Sequence, residues 1–231
     1  GMIQDGADIL DVGGYSSRPG AAEITQDEER NRVTGALKVI NREFPEAVIS
    51  IDTFRSEIAA EAVLEYGAGM INDISGGEAD RKMFHLVEKI QVPYIMMHMQ
   101  GVPGTMQENP VYDDVVADIL RWFGERIFRL QSLGVNDIIL DPGFGFGKTA
   151  AHNFELLRNL ADFSIAGLPV VVGVSRKSMI WKTLGITPDE ALNGTSVLNT
   201  AALLNGADIL RVHDVKEAVQ AVKLVEKLKK Q

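Results

Sequence analysis

The chain of 231 residues carries a net charge of −9 at neutral pH and contains no cysteine. Disulfide and thiolate-metal frameworks are thereby excluded, and the acidic balance argues against nucleic acid as a general partner. Hydrophobic content of 45% and charged content of 24% are those of an ordinary globular protein, and no apolar run is long enough to span a bilayer; a cytoplasmic protein with no membrane partner is expected.

Taken in chain order, the apolar segments 9–12, 48–51, 70–74, 94–97, 138–140, 170–174 and 209–212 are predicted strands. Helical patterns separate them. Thr25 and Glu28 form a predicted capping box ahead of Val33, Leu37 and Ile40, which share one helical face. Further helices are predicted at 58–66, 83–90, 115–130 and 194–204. Ala218, Val222 and Val225 repeat the apolar spacing in a last helix, whose lysines suit its C-terminal dipole.

Strand and helix alternate throughout, and the strands are too apolar to have one face in water. That points to a parallel sheet buried on both faces. Seven strands suit either a doubly wound sheet or most of a TIM-type (β/α)8 barrel. The run Gly6-Ala7-Asp8-Ile9-Leu10 recurs as Gly206-Ala207-Asp208-Ile209-Leu210, with weaker copies at Gly67 and Gly134. This echo favours the barrel. No low-complexity linker interrupts the chain, so one domain over 1–231 is expected. Residues 1–6 read as the tail of a helix, and a closed barrel needs one strand more, so an N-terminal strand with its loop is expected to be missing.

In parallel βα proteins the ligand site lies at the strand C-termini. The predicted strand exits here are Asp11 with Ser16, Ser17 and Arg18; Asp52; Asn72 and Asp73; His98; Asp141; Ser175-Arg176-Lys177-Ser178; and Arg211 with His213 and Asp214. A single acid at such a place is ordinarily a helix N-cap, and Asp73 and Asp214 are read as caps or supports. Seven polar exits on one rim are not explained that way. Asp52, Asn72 and Asp141 combine carboxylate acceptors with an amide, a set that matches a heteroaromatic ring edge bearing amino and N–H groups. Arg18, Arg176, Lys177 and Arg211, with His213, offer cations for an anion. The stretch 14–20 reads as a loop able to close over it. His98 and His213 have no metal-ligand spacing. Met96, Met97, Met99 and Met106 read as core or pocket wall, and Trp122 and Trp181 as packing groups.

The run from Asp141 to Thr149 holds three glycines and two aromatics directly after a strand. It fails as a P-loop, because Pro142 stands where the first glycine belongs, and as a dinucleotide fingerprint, because Lys148 stands where the third belongs. It is read instead as a floor for a flat ring.

In this order the segments Ile9 to Gly14 with Ser17-Arg18-Pro19-Gly20, Ile51-Asp52-Thr53, Ile71 to Gly76, Met97-His98-Met99, Asp141 to Lys148, Ser175 to Ser178 and Arg211 to Asp214 resemble the dihydropteroate synthase family of folate biosynthesis. The resemblance covers essentially the whole chain. It implies a βα barrel, typically dimeric, that condenses 6-hydroxymethyl-7,8-dihydropterin diphosphate with p-aminobenzoate, uses Mg²⁺ and is a sulfonamide target. By motif, Asp52, Asn72 and Asp141 would read the pterin edge, with Met97, Phe146, Gly173 and Lys177 lining the ring pocket. Arg211 and His213 would bind diphosphate with help from Ser17 and Arg18, and Ser178 with Arg18 and Pro19 would form the p-aminobenzoate site. Arg211, His213, Lys177 and Asp52 are the expected catalytic set. Tyr15 and Ser17 depart from the acid and threonine usual in the loop. The family's first strand and the asparagine that helps hold Mg²⁺ have no counterpart, so no metal ligand is assigned and turnover is expected to be weak or absent. Two rivals share the ring site: a methyltetrahydrofolate-dependent methyltransferase, which handles no diphosphate, and a non-catalytic pterin-binding module.

Overall fold

The computed structural model describes every residue except 19–20, 102–103, 105, 107–109 and 230–231. Its strands are β1 (Ile9–Gly13), β2 (Val48–Asp52), β3 (Met70–Asp73), β4 (Tyr94–Met97), β5 (Ile138–Asp141), β6 (Val171–Val172) and β7 (Ile209–Leu210). Every predicted strand is present and all pair in parallel: β1 to β5 form one sheet in sequence order, and β6 pairs with β7. A bridge between Leu140 and Val170 joins the two. The last two strands are shorter than predicted; after β6 the chain turns at Ser175-Arg176, where Lys177 N donates to Val174 O. Among the described residues, β1 and β7 make no ladder with each other.

The helices between the strands are α1 (Gln26–Glu43), α2 (Ser56–Tyr66), α3 (Met83–Ile90), α4 (Val115–Ser132), α5 (Ala150–Arg158), α6 (Ser178–Leu184), α7 (Leu192–Leu204) and α8 (Val215–Lys229), with 3₁₀ turns at Leu160–Ala166 and Pro188–Glu190. The predicted capping box of α1 forms only by half. Thr25 Oγ1 accepts from Glu28 N at 3.2 Å, but the Glu28 carboxylate pairs with Arg32 one turn on, at 2.8 Å. The i,i+4 ion pair has taken the side chain that would have reached back. The internal echo is structural as well. Gly6 and Gly206 both hold a left-handed backbone, with φ of 100° and 101°, just before β1 and β7.

Each apolar strand does alternate, between a helix-facing and an interior-facing side. Ile49, Ile51, Ile71, Tyr94, Met96, Ile138, Leu140 and Val172 pack with the helices in the large core. Met70, Ile95, Ile139 and Val171 form a separate interior cluster, flanked by Ile9 and Ile209 from the two edge strands. The sheet therefore curves far enough to bring its first and last strands onto one apolar layer. Two residues further along each of those six strands stand Asp11, Asn72, Met97, Asp141, Gly173 and Arg211. Side chains two apart on a strand face the same way, so this next layer up is the polar rim.

Candidate functional site

Asp52 lies beside Asn72 in register, and Met97 beside Asp141. Arg211 reaches across from β7 to both acids of the opposite edge: Nε to Asp11 Oδ2 at 2.5 Å and Nη2 to Asp52 Oδ2 at 2.6 Å. Asn72 Nδ2 donates to the same Asp11 oxygen at 3.0 Å. Two buried acceptors, Asp11 Oδ1 and Asn72 Oδ1, have no hydrogen-bond partner among the described residues. Burial, and then the charge of Asp11, raise the Asp52 carboxyl to about 7, while Arg211 works the other way. Burial opposes the Arg211 charge, yet Asp11 and Asp52 together hold its pKa above the ordinary value.

Asp141 is buried and its Oδ1 accepts Gly143 N at 2.7 Å; burial raises its pKa against the pull of Lys177, Arg211 and Lys148. Lys177 donates to Phe144 O and stands 4.8 Å above the Phe146 ring. Burial lowers it to about 8, with Asp141 opposing. A side chain on Gly173 would meet Arg211 Cβ at 3.7 Å and Lys177 Nζ at 3.8 Å, so the bare backbone keeps that space open.

The anion side is arranged differently from the expected cluster of cations. Arg176 is committed to Asp214 through two bonds of 2.9 and 2.7 Å, and serves as a strut. Asp214 is thus a support, as read from the sequence, and Asp73 is another: it accepts from Ser75, Gly77 and Tyr94. Arg211 is tied to the acids but keeps 44% of its side chain exposed. His213 is exposed, and Ser175 orients it. Ser175 Oγ accepts His213 N–H at 3.2 Å and lies 3.0 Å from Nδ1. The hydroxyl thus holds the Nδ1 side of the ring while the residue stays exposed. Burial and the charges of Arg18, Arg211 and Arg176 lower the His213 pKa despite Asp214. Ser17 is half-buried, Arg18 and Ser178 are exposed, and Pro19 lies outside the described residues.

Two groups escaped the sequence-based site list. Asp11 was visible as a strand exit, and the echo that aligns Ile9 with Ile209 also sets Asp11 against Arg211; that alignment was the available signal. Lys148 is 2% exposed, with Nζ 3.0 Å from His98 Nδ1; a lysine closing a glycine run carries no mark of being buried. Among the described residues, no three His, Asp or Glu side chains converge to hold a metal ion. Asp11 and Asp52 are held by Arg211, so the donor set present does not fit Mg²⁺. No described helix is long and apolar enough to cross a membrane.

A buried carboxylate and amide edge, a glycine floor and an adjoining Arg, His and Lys group thus meet on one rim of the barrel. Residues 1–213 match the family model of pterin binding enzymes. The chain is 46% identical over 227 residues to the dihydropteroate synthase of Escherichia coli K12, covering 97% of this chain and 79% of that protein. The corresponding Synechocystis protein is 40% identical over 230 residues, covering 98% and 79%. The crystal structure of Yersinia pestis dihydropteroate synthase in a sulfonamide drug complex superposes with a TM-score of 0.95 at 40% identity, covering 100% of this chain and 83% of that one. The Xanthomonas albilineans enzyme with 4-aminobenzoic acid gives a TM-score of 0.91 at 36% identity, covering 100% and 82%. The chain belongs to the dihydropteroate synthase family, transferases of folate biosynthesis.

Proposed function

We propose that this rim condenses 6-hydroxymethyl-7,8-dihydropterin diphosphate with p-aminobenzoate to give 7,8-dihydropteroate and diphosphate, within one domain over 1–231. The observation that carries the assignment is the pair of buried acceptors without a partner among the described residues, Asp11 Oδ1 and Asn72 Oδ1, on the rim that also holds Asp52 and Asp141. A buried acceptor left unpaired costs about 1–3 kcal/mol, and the amino and N–H groups of a pterin edge would satisfy these. Met97, Phe146, Gly173 and Lys177 line the ring pocket.

In the reaction the C–O bond to diphosphate breaks, negative charge grows on the leaving group and positive charge on the pterin methylene. The exposed part of Arg211 and the exposed His213 ring stabilise the diphosphate, and Asp11 and Asp52 place negative potential by the methylene. The amine of p-aminobenzoate, held by Ser17, Arg18 and Ser178, forms the C–N bond as the C–O bond breaks, and its proton passes to the departing diphosphate or to water. No protein nucleophile is needed.

A cytoplasmic homodimer fits the absence of cysteine and the exposed Val197 and Leu204 of α7 and Leu224 and Leu228 of α8. The test is to follow dihydropteroate formation by the purified chain and its Arg211→Ala variant. Turnover that collapses with Arg211 supports the synthase. A ring-binding methyltransferase should bind pterin with no dependence of affinity on the diphosphate, and a binding module should bind without turnover.

A further inference from the structure

Lys148 lies behind the glycine run instead of on the rim. Its Nζ is 2.9 Å from Phe146 O, 3.0 Å from Gly143 O, 3.3 Å from His98 O and 3.0 Å from His98 Nδ1. Two of these acceptors belong to the floor and two to the residue that leaves β4. An ammonium has three N–H donors and no acceptor, so a cage of carbonyls around it suits the charged form. Three other backbone groups of the floor are also tied to side chains. Gly145 N donates to Asn153 Oδ1 at 2.7 Å, Tyr112 donates to Gly147 O at 2.9 Å, and Lys177 donates to Phe144 O.

Glycine makes this close approach possible. Gly143 and Gly147 hold φ of 71° and 60°, and a side chain at either would strike the backbone of His98 or Gln100. The floor is therefore pressed onto the loop after β4, and Lys148 is the group that bonds both. Gly143 is also the residue whose N–H fixes Asp141 Oδ1.

We propose that Lys148 is a positioning residue for the pterin ring: it clamps the floor from Asp141 to Gly147 onto the exit of β4 and places a positive charge behind the Asp141 carboxylate. The proposal rests on Asp141 being a reader of the ring edge. The electrostatics agree with it. Asp141 faces Lys177, Arg211 and Lys148, and all three oppose the rise that burial imposes on its pKa. Lys148 faces Asp141, Lys177 and His98. Burial lowers Lys148 to about 7 with Asp141 opposing, and burial and then the Lys148 charge lower His98 to about 2, so the imidazole is neutral. Removing Lys148 would let the Asp141 pKa rise further, and the ionised form needed at the ring edge would be lost at a higher pH.

The test is calorimetric titration of the wild type and Lys148→Met with 6-hydroxymethylpterin and with 6-hydroxymethyl-7,8-dihydropterin diphosphate, from pH 5.5 to 8.5. Lys148→Met should lose at least tenfold in affinity for both ligands by a similar factor, and the acid limb of its pH profile should move to higher pH. A packing role alone would lower the melting temperature and leave that limb in place, and this result, or unchanged affinity, would overturn the proposal. If the variant does not fold, carbon-13 labelling of the lysine ε-carbons in the wild type decides. With the Lys177 signal identified by its loss in Lys177→Met, a second lysine signal should move on addition of 6-hydroxymethylpterin but not of p-aminobenzoate; no second responding signal would overturn the clamp. A wild type that binds neither pterin would instead overturn the ring-site assignment itself, and the proposal with it.

Discussion

Replacing Arg211 by Met should destabilise the protein in a way that depends on pH. The guanidinium makes two charge-assisted bonds, 2.5 Å to Asp11 and 2.6 Å to Asp52. Such bonds are worth about 1.5–3 kcal/mol each. With 44% of the side chain exposed, solvent screening reduces each to about 1 kcal/mol. The folded-state pKa of Asp52 is raised to about 7, so its carboxyl is protonated at pH 5 and ionised at pH 8. Stability linked to a raised acid is complete below its unfolded value and is lost as pH climbs through the folded value. Without Arg211, which holds that value down, the loss becomes larger and extends to higher pH. The stability deficit of Arg211→Met should therefore be about 1 kcal/mol at pH 5 and about 2 kcal/mol at pH 8, when both carboxylates face one another uncompensated. Urea melts at the two pH values, analysed with a common slope, measure it directly. An equal deficit at both, or a larger one at pH 5, would refute the placement of Arg211 between two acids.

Two other outcomes follow from the same geometry. Ser175→Ala removes the hydroxyl that holds His213 Nδ1 at 3.0 Å, and the loss of about 1 kcal/mol should weaken the pterin diphosphate about fivefold while 6-hydroxymethylpterin binds as before; competition titration with the two ligands separates these. Gly143→Ala places a methyl against the His98 carbonyl at a φ of 71°, and should cost more than about 2 kcal/mol in a urea melt, with pterin binding lost in whatever folds.

What was legible in the sequence follows local chemistry, and what was not follows long-range meeting of side chains. The strands could be read because each is an apolar run followed by a polar residue, and Asp52, Asn72 and Asp141 fall at their ends for that reason. Arg211 was rightly placed on the rim, yet its commitment to Asp11 joins residues 200 positions apart, and no local pattern records which of several neighbouring anions a guanidinium will choose. Arg176 shows the same limit: it leaves a strand as Lys177 does, but a left-handed backbone of φ 52° turns it to Asp214. Lys148 was hidden for the opposite reason. Three of its four partners are backbone carbonyls, which every residue has, so their convergence exists only after the glycine run has folded against β4. The half-formed box at Thr25 failed because Arg32 competed for Glu28.

The Arg211 bridge also has a kinetic meaning. It spans the two edge strands, which share an apolar layer but no ladder among the described residues. A contact between residues so distant in sequence is among the last a chain can make, since loop closure must be met before the contact is rewarded. The reading edge of the pocket thus forms only when the whole sheet has curved, and its occupation reports on global folding. A ligand at a hundred times its Kd would add about 2.7 kcal/mol to the folded state. Substrate would thereby stabilise the curvature of the whole sheet as well as occupy its rim.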